Sequence, residues 1–126
     1  MVSLTLSSSY ALITSLKQQN DSLAFIEDTD VLNNIKIIHQ FIEDILDDKS
    51  FKKNKSIMLC IQSIENIIKE INTILDRINT NLYNYNRSWS KYFYSFNCSK
   101  DIKLLKNKIN ILNNRNDLMI KIKSAY

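Results

Sequence analysis

A chain of 126 residues with 44% hydrophobic and 24% charged side chains has the length and composition of one globular domain. Its 17 basic and 13 acidic residues leave a net charge of +4, and it contains neither glycine nor proline. The missing glycine excludes a phosphate-binding glycine loop. The lack of both residues argues against a turn-rich β fold, because tight turns draw on them and helix interiors are weakened by them.

The chain has 20 isoleucines and 16 asparagines against two valines. That bias fits an AT-rich coding sequence, so asparagine by itself is poor evidence of a site. Charge is segregated: residues 1–51 hold 3 basic and 8 acidic side chains, and residues 52–126 hold 14 basic and 5 acidic. Such a gradient either brings an acidic half beside a basic half within the fold or presents a basic face to an anionic partner.

In chain order, the first element is predicted over residues 9–26, where Tyr10, Ile13, Leu16, Leu23 and Ile26 fit one helical face. The second spans 30–47, with Val31, Ile35, Ile38, Ile42 and Ile45 in alternating steps of four and three. Ile37 and Phe41 would widen that face, and Thr29 or Asp30 would cap the helix. The stretch DDKSFKKNKS connects it to a third helix over 55–83, capped near Asn54 or Ser56.

The third helix carries the longest pattern: Ile57, Ile61, Ile64, Ile68, Ile71, Leu75, Ile78 and Leu82, with Cys60, Ile67 and Ile74 as a second row. A face that wide suits a helix touching two neighbours in a bundle rather than a two-stranded coiled coil. The last helix is predicted over 99–123, capped by Ser99. It buries Ile102, Leu105, Ile109, Leu112 and Met119, with Leu104, Ile111 and Leu118 alongside and Asn116 interrupting the stripe. The fold class expected is therefore all-α: one antiparallel four-helix bundle over residues 1–126, with a short aromatic-rich segment before the last helix.

That segment, NYNRSWSKYFYSFNCSKD from Asn84 to Asp101, holds the single tryptophan and no Ile, Leu, Val or Met. Trp89, Phe93 and Phe96 share a face if residues 87–95 form a short helix. The first expectation is that the third helix breaks near residues 84–86 and that Trp89 and Phe93 pack over the bundle's end. The second takes Arg87, Trp89, Lys91, Lys100 and Lys103 as an amphipathic interfacial patch.

Catalytic and metal chemistry is not expected. The one histidine, His39, has Glu43 a turn away but no second ligand or nucleophile pattern. Glu43, Asp44, Asp47 and Asp48 read as a solvated acidic face. Cys60 reads as a small buried hydrophobe, and a bridge from it to Cys98 is left open. No signal peptide or run of 18 apolar residues is evident, so an intracellular, cytoplasmic protein is expected, free or at a membrane periphery.

The order SIENIIKEINTILDRIN, NRSWSKYF and SKDIKLLKNKINILNNRNDL resembles the N-terminal four-helix domain of the mixed lineage kinase domain-like pseudokinases and the related helical cell-death domains of fungi and plants. The likeness covers roughly Asn54–Ile122. It implies a signalling or membrane-permeabilising bundle controlled by attached domains and by self-association. It also implies contact of Lys52, Lys53, Lys55, Arg87 and Lys91 with anionic lipid, although the acidic first half departs from a lipid-seeking bundle. The reading at this level is a non-enzymatic interaction module with no cofactor. A protein partner is expected, anionic lipid is a second candidate partner and self-association a third, and nucleic acid is not expected. The alternative is an adaptor, either a viral mimic of a host protein or a vesicle-fusion regulator, without membrane action.

Overall fold

The computed structural model describes residues 9–14 and 31–125, with the side chains of Val31, Leu32, Phe51 and Lys52 left aside. The fold is an all-α four-helix bundle with an aromatic segment before its last helix. The helices are α1 (residues 9–14), α2 (Val31–Asp47), α3 (Lys55–Arg87) and α4 (Ser99–Ser124). A one-turn helix, Lys49–Lys52, bridges α2 and α3. Asp48 starts that turn by accepting the Ser50 N–H and the Ser50 hydroxyl at 3.0 and 2.7 Å, which holds its carboxyl below the usual carboxylate range. The later part of the first expected helix, with Leu16, Leu23 and Ile26, and the caps at Thr29 or Asp30 lie outside the described residues.

The 33-residue α3 and 26-residue α4 form a long hairpin, and three polar contacts fix its register. Arg77 Nη2 lies 2.6 Å from Asp101 Oδ1, Lys108 Nζ lies 3.6 Å from Glu70 Oε2, and Arg115 Nη1 donates to the Ser63 carbonyl at 2.8 Å. The partners step by seven residues up one helix and down the other. Two helices in contact at that interval, read in opposite directions, are antiparallel and pack at near-heptad spacing.

The remaining helices close the bundle on that hairpin. The Ser9 hydroxyl donates to Asn72 Oδ1, tying α1 to α3. Lys36 of α2 sits over the Tyr10 ring of α1, and Lys123 of α4 sits over the Phe41 ring of α2. One continuous core results, containing Ile13, Ile35, Ile38, Ile42, Ile45 and the whole predicted α3 row. Leu105, Ile109, Leu112 and Met119 supply it from α4.

Several side chains depart from the sequence expectation. Ile37, Leu104 and Leu118 do not widen the buried faces but lie exposed, because each helix meets its neighbours over a narrower arc than its apolar residues cover. Ser99 is the first helical residue rather than the cap. Cys98 holds the cap position without a side-chain bond, and the Asn97 side chain takes the Ser99 N–H at 3.0 Å. Asn54 is the cap of α3, accepting the Ile57 N–H at 3.1 Å.

Cys60 and Cys98 are free, and burial raises both thiols above their ordinary range. Cys98 lies at the hairpin's turn and Cys60 near its open end. The ladder register separates them by about 30 Å along the axis, whereas a disulfide needs Cα atoms within about 7 Å.

Candidate interaction surface at the hairpin tip

Helix α3 does not break at residues 84–86. It runs one further turn to Arg87, where Ser88 turns extended at φ −88° and ψ 145°. The extra turn is held by side chains on both flanks. Arg87 donates to the Tyr83 hydroxyl and stacks 5.2 Å from that ring's centroid. Tyr85 packs on Phe96, centroids 5.4 Å apart, and its hydroxyl donates to the Tyr94 carbonyl.

The helix stops because serine offers the backbone a local substitute. Ser88 Oγ accepts the Ser90 N–H at 3.2 Å and opens a single 3-10 turn, Trp89–Tyr92. Lys91 closes the turn back on the helix by donating to the Asn86 carbonyl at 3.0 Å.

This geometry overturns the expectation that Trp89 and Phe93 pack over the end of the bundle. Four residues of 3-10 helix are too few to bring Trp89, Phe93 and Phe96 onto one face. Only Phe96 turns inward, to Tyr85 and the core margin. Trp89 and Phe93 meet edge to face at 5.4 Å and point out together. Trp89 is 73% exposed, Tyr92 76%, Phe93 68% and Tyr94 72%. A cluster that open contributes little to folding and presents a contiguous aromatic surface.

The charge around it is one-sided. Residues 79–107 carry Arg87, Lys91, Lys100, Lys103 and Lys106 against one carboxylate, Asp101. Asp101 is itself taken up by Arg77, which raises the Arg77 guanidinium further above its ordinary range. Lys100, Lys103, Lys106 and Lys91 are exposed. Lys100, Lys103 and Lys106 border an open depression of about 530 Å³ around Leu104 on the first turns of α4.

The candidate residues read from the sequence therefore divide. Arg87, Trp89, Lys91, Lys100 and Lys103 gather at the tip. Lys53 and Lys55 are exposed at the opposite end of α3, and Lys52 closes the one-turn helix beside them. Thirty-three helical residues separate Lys55 from Arg87 by about 50 Å, so the basic residues do not make one face. Tyr92, Phe93, Tyr94 and Lys106 belong to the tip surface and were not in the set. The available signal was a run of aromatic residues with no aliphatic side chain to bury alongside them.

Elsewhere, His39 Nε2 lies 3.0 Å from Glu43 Oε1, a pairing within one helix face. The acidic side chains Glu43, Asp44, Asp47 and Asp48 are exposed, as expected. Among the described residues, no three His, Cys, Asp or Glu side chains come together as a metal site would require, and no helix is long and apolar enough to cross a membrane. No protein-family model, curated protein or solved structure matches the chain.

Proposed function

We propose that this chain is a non-enzymatic helical interaction module whose working end is the hairpin tip, and that the tip docks on an anionic membrane surface inside the cell. The carrying observation is the coincidence of four wide-open aromatic side chains with five cations and one engaged carboxylate. Aromatic rings with a polar edge suit the boundary between water and lipid. Basic groups close to an anionic leaflet add about 1 kcal/mol each. The order of elements, which resembles that of the helical cell-death domains, supports a signalling role of that kind, with protein partners controlling when the tip is used.

A second reading, an adaptor acting through protein partners alone, is favoured by a different feature: an exposed apolar row on the outer side of α4. The two readings part in co-sedimentation with phosphatidylcholine vesicles, with and without phosphatidylserine. The membrane reading expects sedimentation only with the anionic vesicles and a loss of binding from low to physiological salt, where exposed charges are screened beyond about 8 Å. It also expects the Trp89 emission to move to the blue on binding. No sedimentation, or equal sedimentation with neutral vesicles, would overturn it.

A further inference from the structure

Helix α4 leaves Leu104, Leu118 and Ile120 exposed, and Leu104 and Leu118 stand in one row with Ile111, which is half-buried against the margin of the core. Leu104 is 38% exposed, Leu118 is 53% exposed and Ile111 is half-buried. Each follows a rung of the polar ladder by three residues: Leu104 after Asp101, Ile111 after Lys108, Leu118 after Arg115. Residues three apart are neighbours on a helix surface. The row therefore runs beside the ladder, on the side away from Leu105, Ile109 and Leu112, which fill the core.

On α3, the exposed Leu59 lies four residues before Ser63, the last rung. The register brings it to the level of Leu118 on the same outer side. The result is a shallow seam along the α3–α4 groove, about 21 Å from Leu104 to Leu118, with apolar residues at seven-residue intervals.

We infer that this seam is the docking site for an acidic amphipathic helix of a protein partner. Heptad spacing over two repeats matches the apolar row of a helix laid along the groove. The charge at its margins selects the partner. Lys100, Lys103 and Lys121 flank the row, exposed and outside the ion pairs among the described residues. The carboxylates beside the row, Glu70 and Asp101, are already engaged by Lys108 and Arg77. Asp117 holds the same heptad position as Lys103, one turn before Lys121, so the margin carries three lysines against one carboxylate outside the ion pairs of the described residues. A helix bearing Glu or Asp beside its apolar row therefore meets free ammonium groups, and a basic helix meets repulsion. The seam rests on the adaptor reading and shares Leu104, Lys100 and Lys103 with the tip surface, so Leu118, about 21 Å from Leu104, is the position that separates peptide docking from membrane docking.

The test uses the full chain and two synthetic helical peptides. Both carry leucine at every seventh position, one with glutamate and the other with lysine at the flanking positions, and both are labelled for fluorescence anisotropy. The acidic peptide is expected to bind saturably, at least about tenfold tighter than the basic one. Methyl resonances of Leu59, Leu104, Ile111 and Leu118 should shift, while that of Ile120, exposed on the other side of α4, stays in place. Leu118→Glu should weaken binding by about tenfold or more with the helical circular dichroism unchanged. Lys100→Glu with Lys103→Glu should narrow the preference for the acidic peptide. Equal binding of both peptides, absence of saturable binding, or unchanged affinity in Leu118→Glu would overturn the proposal. So would a dimer in sedimentation equilibrium that Leu118→Glu dissociates, since that result gives the seam to a second copy.

Discussion

The body of the α3–α4 hairpin and its tip are built from adjoining sequence by opposite rules. In the body, isoleucine and leucine recur at three and four residues, the side chains of the core rows meet a facing helix, and the polar rungs repeat every seventh residue. At the tip, the apolar residues are aromatic, their spacing has no consistent period, and four of the rings face outward. The difference teaches that hydrophobic mass alone does not decide burial. A side chain is buried when a second element stands opposite it. Beyond Leu82 the neighbours of α3 are the 3-10 turn and the start of α4, which cover Tyr85 and Phe96 and leave Trp89, Tyr92, Phe93 and Tyr94 outside.

The sharpest way to test the contrast is to truncate one large apolar side chain in each region to alanine. Ile71→Ala removes a fully buried side chain of the body and should lower the unfolding free energy by about 2–4 kcal/mol in a urea titration. A loss below about 0.5 kcal/mol would place Ile71 outside the core.

A smaller effect, with the opposite sign, is expected where the body departs from its own rule. Asn116 interrupts the buried stripe of α4, and its Oδ1 is buried without a hydrogen-bond partner. Asn116→Leu should therefore raise stability by about 1 kcal/mol, read from the shift in the urea midpoint at constant slope. A destabilised variant would show that the amide has a partner in solution.

The ladder itself should weigh less than the apolar rows it accompanies. Arg77 is half-open to water while Asp101 is largely covered, and a double-mutant cycle of Arg77→Ala and Asp101→Asn should give a coupling of about 0.2–1 kcal/mol that shrinks with added salt. A coupling several times larger would make the ladder a source of stability rather than of register.

Least of all should be felt at the tip. Trp89→Ala is expected to change stability by no more than about 0.5 kcal/mol, because the ring is already largely in water. Native emission from Trp89 should accordingly lie close to that of the urea-unfolded chain. A native spectrum well to the blue would mean that the ring is covered, and the boundary between body and tip would have to be moved.

How much of this was legible in the residues depends on which side of that boundary they lie. The core rows of α3 and α4, from Ile64 to Leu75 and from Leu105 to Leu112, follow from their spacing, and so does the all-α class. Asn54 and Ser56 were both reasonable starts for α3, and the side chain that reaches the Ile57 N–H turned out to be Asn54. The outward turn of Trp89 was not legible, since an aromatic residue near a helix end packs inward as often as the fold provides a neighbour for it.

The sequence by itself determined the periodic part of this protein: four helical segments, a core of isoleucine and leucine, and a basic second half. Periodicity is a local property, set by 3.6 residues per turn and by which side chains avoid water. Only the tertiary structure decided which of those apolar residues find a partner. It gathered Arg87, Lys91, Lys100 and Lys103 at one end and left Lys53 and Lys55 about 50 Å away, because two charges close in sequence composition are not close in space when a long helix lies between them. It also left Leu104 and Leu118 uncovered, since α4 meets its neighbours over less of its circumference than its apolar residues occupy.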